Sequence, residues 1–327
     1  MRALIIKLTS MGDLMHALPA LTDASKTYPD IQFDWIVDEN FSAVPSWHPK
    51  VSEIITTNHR TWRKQLLSSS LRRELNELKT KINARKYDVV IDMQNNLKSA
   101  VLSYFVKKEV HGMNKNSARE YPAHWAYTFK HEVPKNLHAV ARQRSLLAQS
   151  LNYKIDDESI DYKVDKNIFE APDFTLPDKY LVLVHNASWP TKLWPISYWQ
   201  KFIELINQEG YIAVLPSGSK EEFTRAEEIT SSNKKAIALK QLSLNEIAYV
   251  IEHSIGCVCS DTGLAHLSAV LDTPSVTMYS ITDESLIGTR GKNQEHIISN
   301  DARMESITPE EVLKKLLKSV KENSDGG

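Results

Sequence analysis

Four polar segments carry the side chains best suited to chemistry, and each follows directly on a short apolar run. The first is Thr9-Ser10-Met11-Gly12-Asp13, with Leu14-Met15-His16-Ala17-Leu18 behind it. The spacing predicts Asp13 at a helix start, where backbone N–H groups and the helix dipole keep a carboxylate ionised. Such a group can act as a general base near neutral pH. A plain N-cap aspartate satisfies the same local pattern, and by itself the cap is the commoner outcome.

The second segment is Ser260-Asp261-Thr262-Gly263-Leu264-Ala265-His266-Leu267. Gly263 lacks a Cβ where a ligand could approach, Thr262 offers a hydroxyl, and the N–H groups of the following helix would point outward. That describes a phosphate cradle without a P-loop. His266 falls in the first helical turn, within reach of a phosphate or sugar oxygen. A strand–turn–helix corner capped by Asp and Thr fits equally well.

The third segment runs Asn186-Ala187-Ser188-Trp189-Pro190-Thr191-Lys192-Leu193-Trp194-Pro195. If its strand neighbours the previous one, Ser188 and Lys192 stand level with the cradle. A lysine there would neutralise a diphosphate leaving group, although alone it reads as a surface lysine. The fourth is Pro216-Ser217-Gly218-Ser219-Lys220-Glu221-Glu222. A carboxylate past a strand end can take ribose hydroxyls, and a glutamate beside Ser219 also suits a helix start on dipole grounds.

Residues 60–86 carry nine Lys and Arg against Glu74 and Glu77, a local +7. Such a patch suits a polyanionic acceptor or an anionic membrane surface. From Arg72 to Lys86 a solvated helix face explains the charge as well. Arg60, Arg63 and Lys64 precede the helical pattern, and a loop position makes them the better binding candidates.

The elements that must position these residues follow from apolar periodicity. Short runs rich in Val and Ile at 3–8, 33–37, 89–92, 180–185, 212–215, 255–259 and 276–279 predict buried strands. Leu71, Leu75, Leu78 and Ile82 recur at helical spacing, as do Phe202, Leu205 and Ile206 ahead of Gly210. Ser243 with Glu246 fits a capping box, and Thr308-Pro309-Glu310-Glu311 another with proline at the first helical position. Strand–helix alternation implies parallel sheets covered on both faces, with ligands beyond the carboxyl ends of the strands. The acidic, proline-bearing stretch 156–177 reads as a connection. The expected organisation is an N-terminal domain at 1–160, a linker at 161–177, a second domain at 178–302, and a C-terminal helix and tail at 303–327. That final helix could cap the second domain or cross back to the first.

The whole-chain numbers are consistent with this picture. At about 150 residues per domain, a chain of 327 implies roughly two domains. Forty Lys and Arg against 41 Asp and Glu leave a net charge of −1, which argues against a general polyanion or nucleic-acid binder. No run approaches the ~18 apolar residues of a membrane span, and the opening lacks the apolar stretch of a signal peptide. Cys257 and Cys259 are expected on opposite faces of a strand, as core thiols in a reducing compartment. With only 10 glycines, the chain has neither G-x-G-x-x-G nor a P-loop, which argues against a dinucleotide-type Rossmann enzyme and a P-loop NTPase. H-E-x-x-H and paired C-x-x-C are missing too, so a protein-ligated metal has little support.

Lys7-Leu8-Thr9-Ser10-Met11-Gly12-Asp13 with His16-Ala17-Leu18-Pro19-Ala20-Leu21, and later Asp261-Thr262-Gly263-Leu264-Ala265-His266, resemble the bacterial lipopolysaccharide heptosyltransferases. Further echoes run in order along the chain, among them Trp62-Arg63-Lys64, Lys98-Ser99-Ala100, His111-Gly112-Met113 and Lys192-Leu193-Trp194-Pro195. The resemblance implies a GT-B fold, α/β with two doubly wound Rossmann-like domains facing across a cleft. It implies an inverting, metal-independent enzyme without a cofactor, moving heptose from ADP-L-glycero-D-manno-heptose to the first Kdo of Kdo-lipid A. The expected location is peripheral, on the cytoplasmic face of the inner membrane. By the same resemblance Asp13 would be the base, and Ser188, Lys192, Thr262, Gly263 and His266 would hold the diphosphate and nearby atoms. Asp261 would meet the heptose hydroxyls and Glu222 the ribose, with Leu242 beside the adenine and Ala187 where a second hydroxyl is usual. Arg60, Arg63, Lys64 and Arg119 would meet the carboxylates and phosphates of the acceptor. The chain departs from the family's Gly-Pro-Thr-x-Pro turn with Ser280-Ile281-Thr282-Asp283-Glu284, and has Asn95 for a frequent Gly and Thr61 for a common basic residue. The nearest rival is the same chemistry on another acceptor, such as the second core heptose or a related surface polysaccharide, since the basic segment favours an anionic acceptor without naming the sugar. A non-catalytic nucleotide-sugar binder would be expected to lose Asp13 or the cradle. An epimerase would need acid/base groups on both faces of the sugar, for which only Asp13 and Asp261 stand.

Overall fold

The computed structural model describes residues 1–59, 62, 68–155 and 159–325, and the chain divides into two compact units, Met1–Asp165 and Lys166–Gly327. In the first unit β1 (Arg2–Ile6), β2 (Gln32–Asp38), β3 (Val51–Thr57), β4 (Val89–Asp92), β5 (Val110–Met113) and β6 (Phe129–His131) form one sheet in the order β3-β2-β1-β4-β5-β6. Every pairing is parallel. The connections include α1 (Met11–Met15), α2 (Leu18–Thr27), α3 (Ser69–Asn83), α4 (Leu97–Ser103) and α5 (Ala139–Leu151). The second unit holds β7 (Tyr180–Val184), β8 (Ile212–Leu215), β9 (Ala236–Ala238), β10 (Gly256–Ser260), β11 (Ser275–Tyr279) and β12 (Gln294–Ile298), in the order β12-β11-β10-β7-β8-β9. It too is parallel throughout. Counted from its own first strand, each sheet has the order 3-2-1-4-5-6, so each has a switch point between its first and fourth strands, the place where such sheets bind ligands.

The seven expected strands are present with ends moved by a residue or two. Five more, β3, β5, β6, β9 and β12, were not expected. Four of these are sheet edges. An edge strand buries less of itself, so its sequence lacks the continuous apolar run of an interior parallel strand. Phe129-Lys130-His131 and Gln294-Glu295-His296 are examples.

In the second unit α6 (Ile196–Gln208), α7 (Lys220–Thr230), α8 (Leu244–Glu252), α9 (Gly263–Val270) and α10 (Pro309–Asp325) accompany the sheet. Trp199, Phe202, Ile203 and Ile206 of α6 are fully buried against the strands, each such side chain stabilising by about 1.5–3 kcal/mol. Gly210, at φ 86°, supplies the left-handed residue that ends the helix. The capping box of α8 is present, Ser243 Oγ accepting from Glu246 N at 3.1 Å and Glu246 Oε2 from Ser243 N at 2.7 Å. Thr308 Oγ1 likewise accepts from Glu311 N at 3.3 Å. Val312 and Leu316 of α10 join the second unit's core, which settles where the final helix packs.

The cysteine expectation is corrected. Residues two apart on a strand share a face, so Cys257 and Cys259 lie on the same side of β10. Both are free and fully buried. Burial, reinforced by Cys257, pushes the Cys259 thiol well above its ordinary range.

Candidate active site

In the first unit the site grows from the end of β1. Ser10 caps α1, and its N–H and Oγ both donate to Asp13 Oδ2, at 3.1 and 3.2 Å. Arg119 Nη1 approaches the same oxygen at 3.5 Å. Ser10 is thus the N-cap, and Asp13 is not an N-cap aspartate but the third residue of the helix, whose carboxylate reaches back to the cap. All three contacts fall on Oδ2, leaving Oδ1 without a hydrogen bond among the described residues. Asp13 is a third exposed.

The loop carrying Asp13 is braced from β4. Gln94 Oε1 accepts from Leu8 N at 2.9 Å and Thr9 N at 3.2 Å. Asp92 accepts from Gln94 N, Asn95 N and the Tyr127 hydroxyl at 2.8, 2.9 and 2.7 Å. Asn95 sits at φ 55°, a left-handed conformation that Gly and Asn tolerate best. Its replacement of the family's glycine keeps the backbone requirement and adds a bond, Met113 N donating to Asn95 Oδ1 at 2.6 Å.

Lys7 is the component that motif reading passed over. It is 3% exposed, with Nζ donating to Met93 O at 3.0 Å. Burial pulls its pKa down to about 8, against the attraction of Asp13 and Asp92. For Asp13 burial is again the largest influence and acts upward. The Lys7 cation, the Ser10 hydrogen bonds and the Arg119 guanidinium outweigh it, holding the carboxyl below its ordinary value. A lysine closing an otherwise apolar run, Ala-Leu-Ile-Ile-Lys-Leu, was the available signal.

In the second unit Ala187, Ser188, Lys192, Asp261, Thr262, Gly263 and His266 lie past the ends of β7 and β10, which pair directly, whereas Glu222 follows β8 and Leu242 follows β9. Lys192 Nζ lies 2.6 Å from Asp261 Oδ2, both side chains mostly buried. Thr282 Oγ1 donates to the same Asp261 oxygen at 2.5 Å, and Ser280 Oγ donates to Thr191 O at 2.9 Å. The altered turn 280–284 thus fastens the Lys192 loop and adds a hydroxyl to Asp261. Thr262 caps α9, Oγ1 accepting from Leu264 N at 3.2 Å. Gly263 opens that helix and His266 lies half-buried in its first turn. Behind the loop, Trp194 is fully buried and donates Nε1 to Ile307 O at 2.9 Å, which anchors the segment bearing Lys192.

Glu222 stands in the first turn of α7. Its N–H donates to the cap Ser219 Oγ at 3.2 Å, and its Oε2 accepts from Gly218 N at 2.7 Å. His185 Nε2 contacts Glu222 O at 3.2 Å, which seats this turn against the end of β7. Ala187 and Leu242 are half-buried and Ser188 exposed. Of the acceptor candidates, Arg119 is brought to Asp13. Arg60, Arg63 and Lys64 lie outside the described residues. Leu71, Leu78 and Ile82 form the buried face of α3, Leu75 is only half-buried, and Arg72, Arg73 and Lys79 are exposed, as a solvated helix face requires. Among the described residues, no group of three or more His, Cys, Asp or Glu side chains converges as a metal site, and no helix is long and apolar enough to cross a membrane.

The first unit therefore offers an ionised carboxylate with one open oxygen. The second offers helix N–H groups, a lysine and a paired aspartate at a switch point, a set that can hold a phosphorylated ligand.

Residues 75–317 match the model of glycosyltransferase family 9 (heptosyltransferase). The chain is 40% identical to lipopolysaccharide heptosyltransferase 1 of Pseudomonas aeruginosa over 301 residues, 92% of this chain and 84% of that one. It superposes on an Escherichia coli heptosyltransferase solved with ADP at a TM-score of 0.92 and 37% identity, covering 98% of this chain and all of the other. Against an E. coli heptosyltransferase structure with ADP-2-deoxy-2-fluoro heptose the TM-score is 0.88 at 36% identity, covering 97% and 99%.

Proposed function

The chain belongs to glycosyltransferase family 9, the heptosyltransferases, and from that premise we propose that it is a lipopolysaccharide heptosyltransferase 1, transferring L-glycero-D-manno-heptose from ADP-heptose to the first Kdo of Kdo-lipid A. The observation that carries the reading is Asp13, kept ionised by Lys7 and Ser10 with Oδ1 open. The acceptor hydroxyl attacks the anomeric carbon from the face opposite ADP, and Asp13 Oδ1 takes its proton as the new C–O bond forms. The bond to the diphosphate breaks in the same displacement, so configuration inverts and no covalent enzyme intermediate is needed.

ADP departs as an anion. Lys192 and the N–H groups opening α9 neutralise it, the work a metal would otherwise do. On donor binding Lys192 exchanges Asp261 for the diphosphate, which frees Asp261 for the heptose hydroxyls. Ser188, Thr262, Gly263 and His266 complete the phosphate site, Glu222 takes the ribose, and Ala187 and Leu242 border the nucleotide. Arg119, with Arg60, Arg63 and Lys64, meets the acidic acceptor. An acceptor anchored in lipid requires the enzyme to work peripherally on the cytoplasmic face of the inner membrane.

Incubation with ADP-heptose and Kdo-lipid A, with ADP release followed, tests this reading. Kdo-dependent release that persists in EDTA is expected. Release only with an already heptosylated acceptor would overturn the acceptor assignment, and release only with added divalent metal would overturn the role of Lys192.

A further inference from the structure

The first unit presents a set of large apolar side chains to solvent. Along α4 and its C-cap, Leu97, Val101 and Tyr104 recur at i, i+4 and i+7, which places them on one face. All three are exposed, Tyr104 at 70%. The inner face of α4 is satisfied, Ala100 and Leu102 lying in the core with Ala123 and Tyr127. The short 3₁₀ segment Tyr121–Ala126 packs beside α4. It buries Ala123 and leaves Tyr121 and Trp125 outward, Trp125 at 66%. Tyr121 and Trp125 meet edge to face at 6.1 Å. Solvent-facing apolar side chains so concentrated mark an interaction surface.

Its charge identifies the occupant. Residues 97–109 carry Lys98, Lys107 and Lys108 against Glu109 alone, all four exposed, which leaves the stretch cationic. The neighbouring Glu120 turns its carboxylate onto Leu97 N at 2.8 Å, where it serves the helix start. Trp and Tyr with an apolar body and polar edge, flanked by lysine, is the composition that seats a protein in the headgroup region of a bilayer. The surface also adjoins the base. Arg119, which approaches Asp13, precedes Tyr121 by two residues.

We propose that the outer face of α4 and the Tyr121–Ala126 segment is the surface by which this protein docks on an anionic lipid bilayer, with Val101, Tyr104 and Trp125 entering the interface and the lysines facing headgroup phosphates. This rests on the proposed lipid-anchored acceptor and specifies where the enzyme meets the lipid. Docking here sets Asp13 beside the headgroup layer from which the acceptor sugar projects.

Flotation with phosphatidylethanolamine–phosphatidylglycerol vesicles, without donor or acceptor, tests it. The wild type is expected to float with the vesicles. V101S/Y104S/W125S is expected to lose at least ~10-fold in partitioning, as removal of interfacial apolar area demands, while retaining its circular dichroism spectrum. The single variant W125S, at an exposed site, is expected to show an intermediate loss. ADP release with a soluble Kdo acceptor lacking acyl chains should be equal in wild type and triple variant. Failure of the wild type to float, or undiminished flotation of the triple variant, would overturn the proposal. So would flotation that depends on Lys98, Lys107 and Lys108 alone. Loss of ADP release in the wild type would instead count against the proposed reaction, whatever the vesicles show.

Discussion

Lys192 Nζ and Asp261 Oδ2 stand 2.6 Å apart, although 69 positions separate them in the chain. Each therefore holds the other's charge at the end of the β7–β10 pair. A diphosphate at the start of α9 would replace Asp261 as the partner of Lys192, and a charge-assisted hydrogen bond of this kind contributes about 1.5–3 kcal/mol. Lys192→Ala is expected to weaken ADP binding by ~10- to 100-fold on that magnitude. Calorimetric titration with ADP measures it. In Asp261→Asn the lysine keeps its diphosphate, so ADP affinity should hold while the KM for ADP-heptose rises. Unchanged ADP affinity in Lys192→Ala would remove the lysine from the donor site.

The Lys7 cation is the strongest influence lowering the pKa of Asp13. A base whose pKa is depressed stays ionised as pH falls, so the acid limb of kcat/KM should lie below the ordinary carboxylate value of 3.8. Lys7→Met removes the cation while roughly keeping the side-chain volume, and burial then acts with less opposition. The acid limb should move to higher pH in that variant. An unmoved limb would detach Lys7 from the function of Asp13.

His48 carries a different pH signature. Burial first, then Lys163 and Lys50, bring its pKa from 6.5 to about 3, and its Nε2 is held 3.1 Å from Thr22 Oγ1. Above pH 6.5 the ring is neutral whether the chain is folded or not. As pH falls from 6.5 toward 3 the unfolded chain takes up the proton first, so stability is lost across that window. Relative to wild type, His48→Gln should flatten the decline of Tm across that window. Parallel Tm profiles would show that the buried ring is not the group responsible.

Which parts of this were legible in the sequence follows from burial. Interior strands such as Tyr180–Val184 are buried along their whole length and announce themselves as apolar runs. The edge strands do not, because none of them is buried along its whole length. Asp13, Lys192, Asp261 and Glu222 could be nominated because each sits just past a strand, where a parallel sheet puts its ligands. Their pairings could not, since Lys192–Asp261 and Arg119–Asp13 are made by strand order rather than by spacing. Thr282 looked like part of a departure from a family turn, yet it supplies a hydroxyl to Asp261. Asn95 looked like a lost glycine, yet it occupies the left-handed position that the turn demands.

Arg144 and Asp23 form a buried ion pair between α5 and α2, Nε to Oδ2 at 2.6 Å with side chains 7% and 10% exposed. Removing one partner strands the other charge away from water. Arg144→Met is expected to cost about 3–5 kcal/mol of unfolding free energy, read by urea denaturation. The double variant Asp23→Leu/Arg144→Met should recover most of that loss. A single variant as stable as wild type would mean that Asp23 finds another partner.

The most direct test of the central claim compares Asp13→Asn with wild type in transfer from ADP-heptose to Kdo-lipid A, with ADP binding measured alongside. Asparagine preserves the shape of the side chain that reaches back to Ser10 but cannot take the acceptor's proton. The account predicts a kcat at least ~100-fold lower with ADP affinity nearly unchanged. Turnover close to wild type would contradict it and leave Asp13 only its structural bond back to Ser10, the cap of α1.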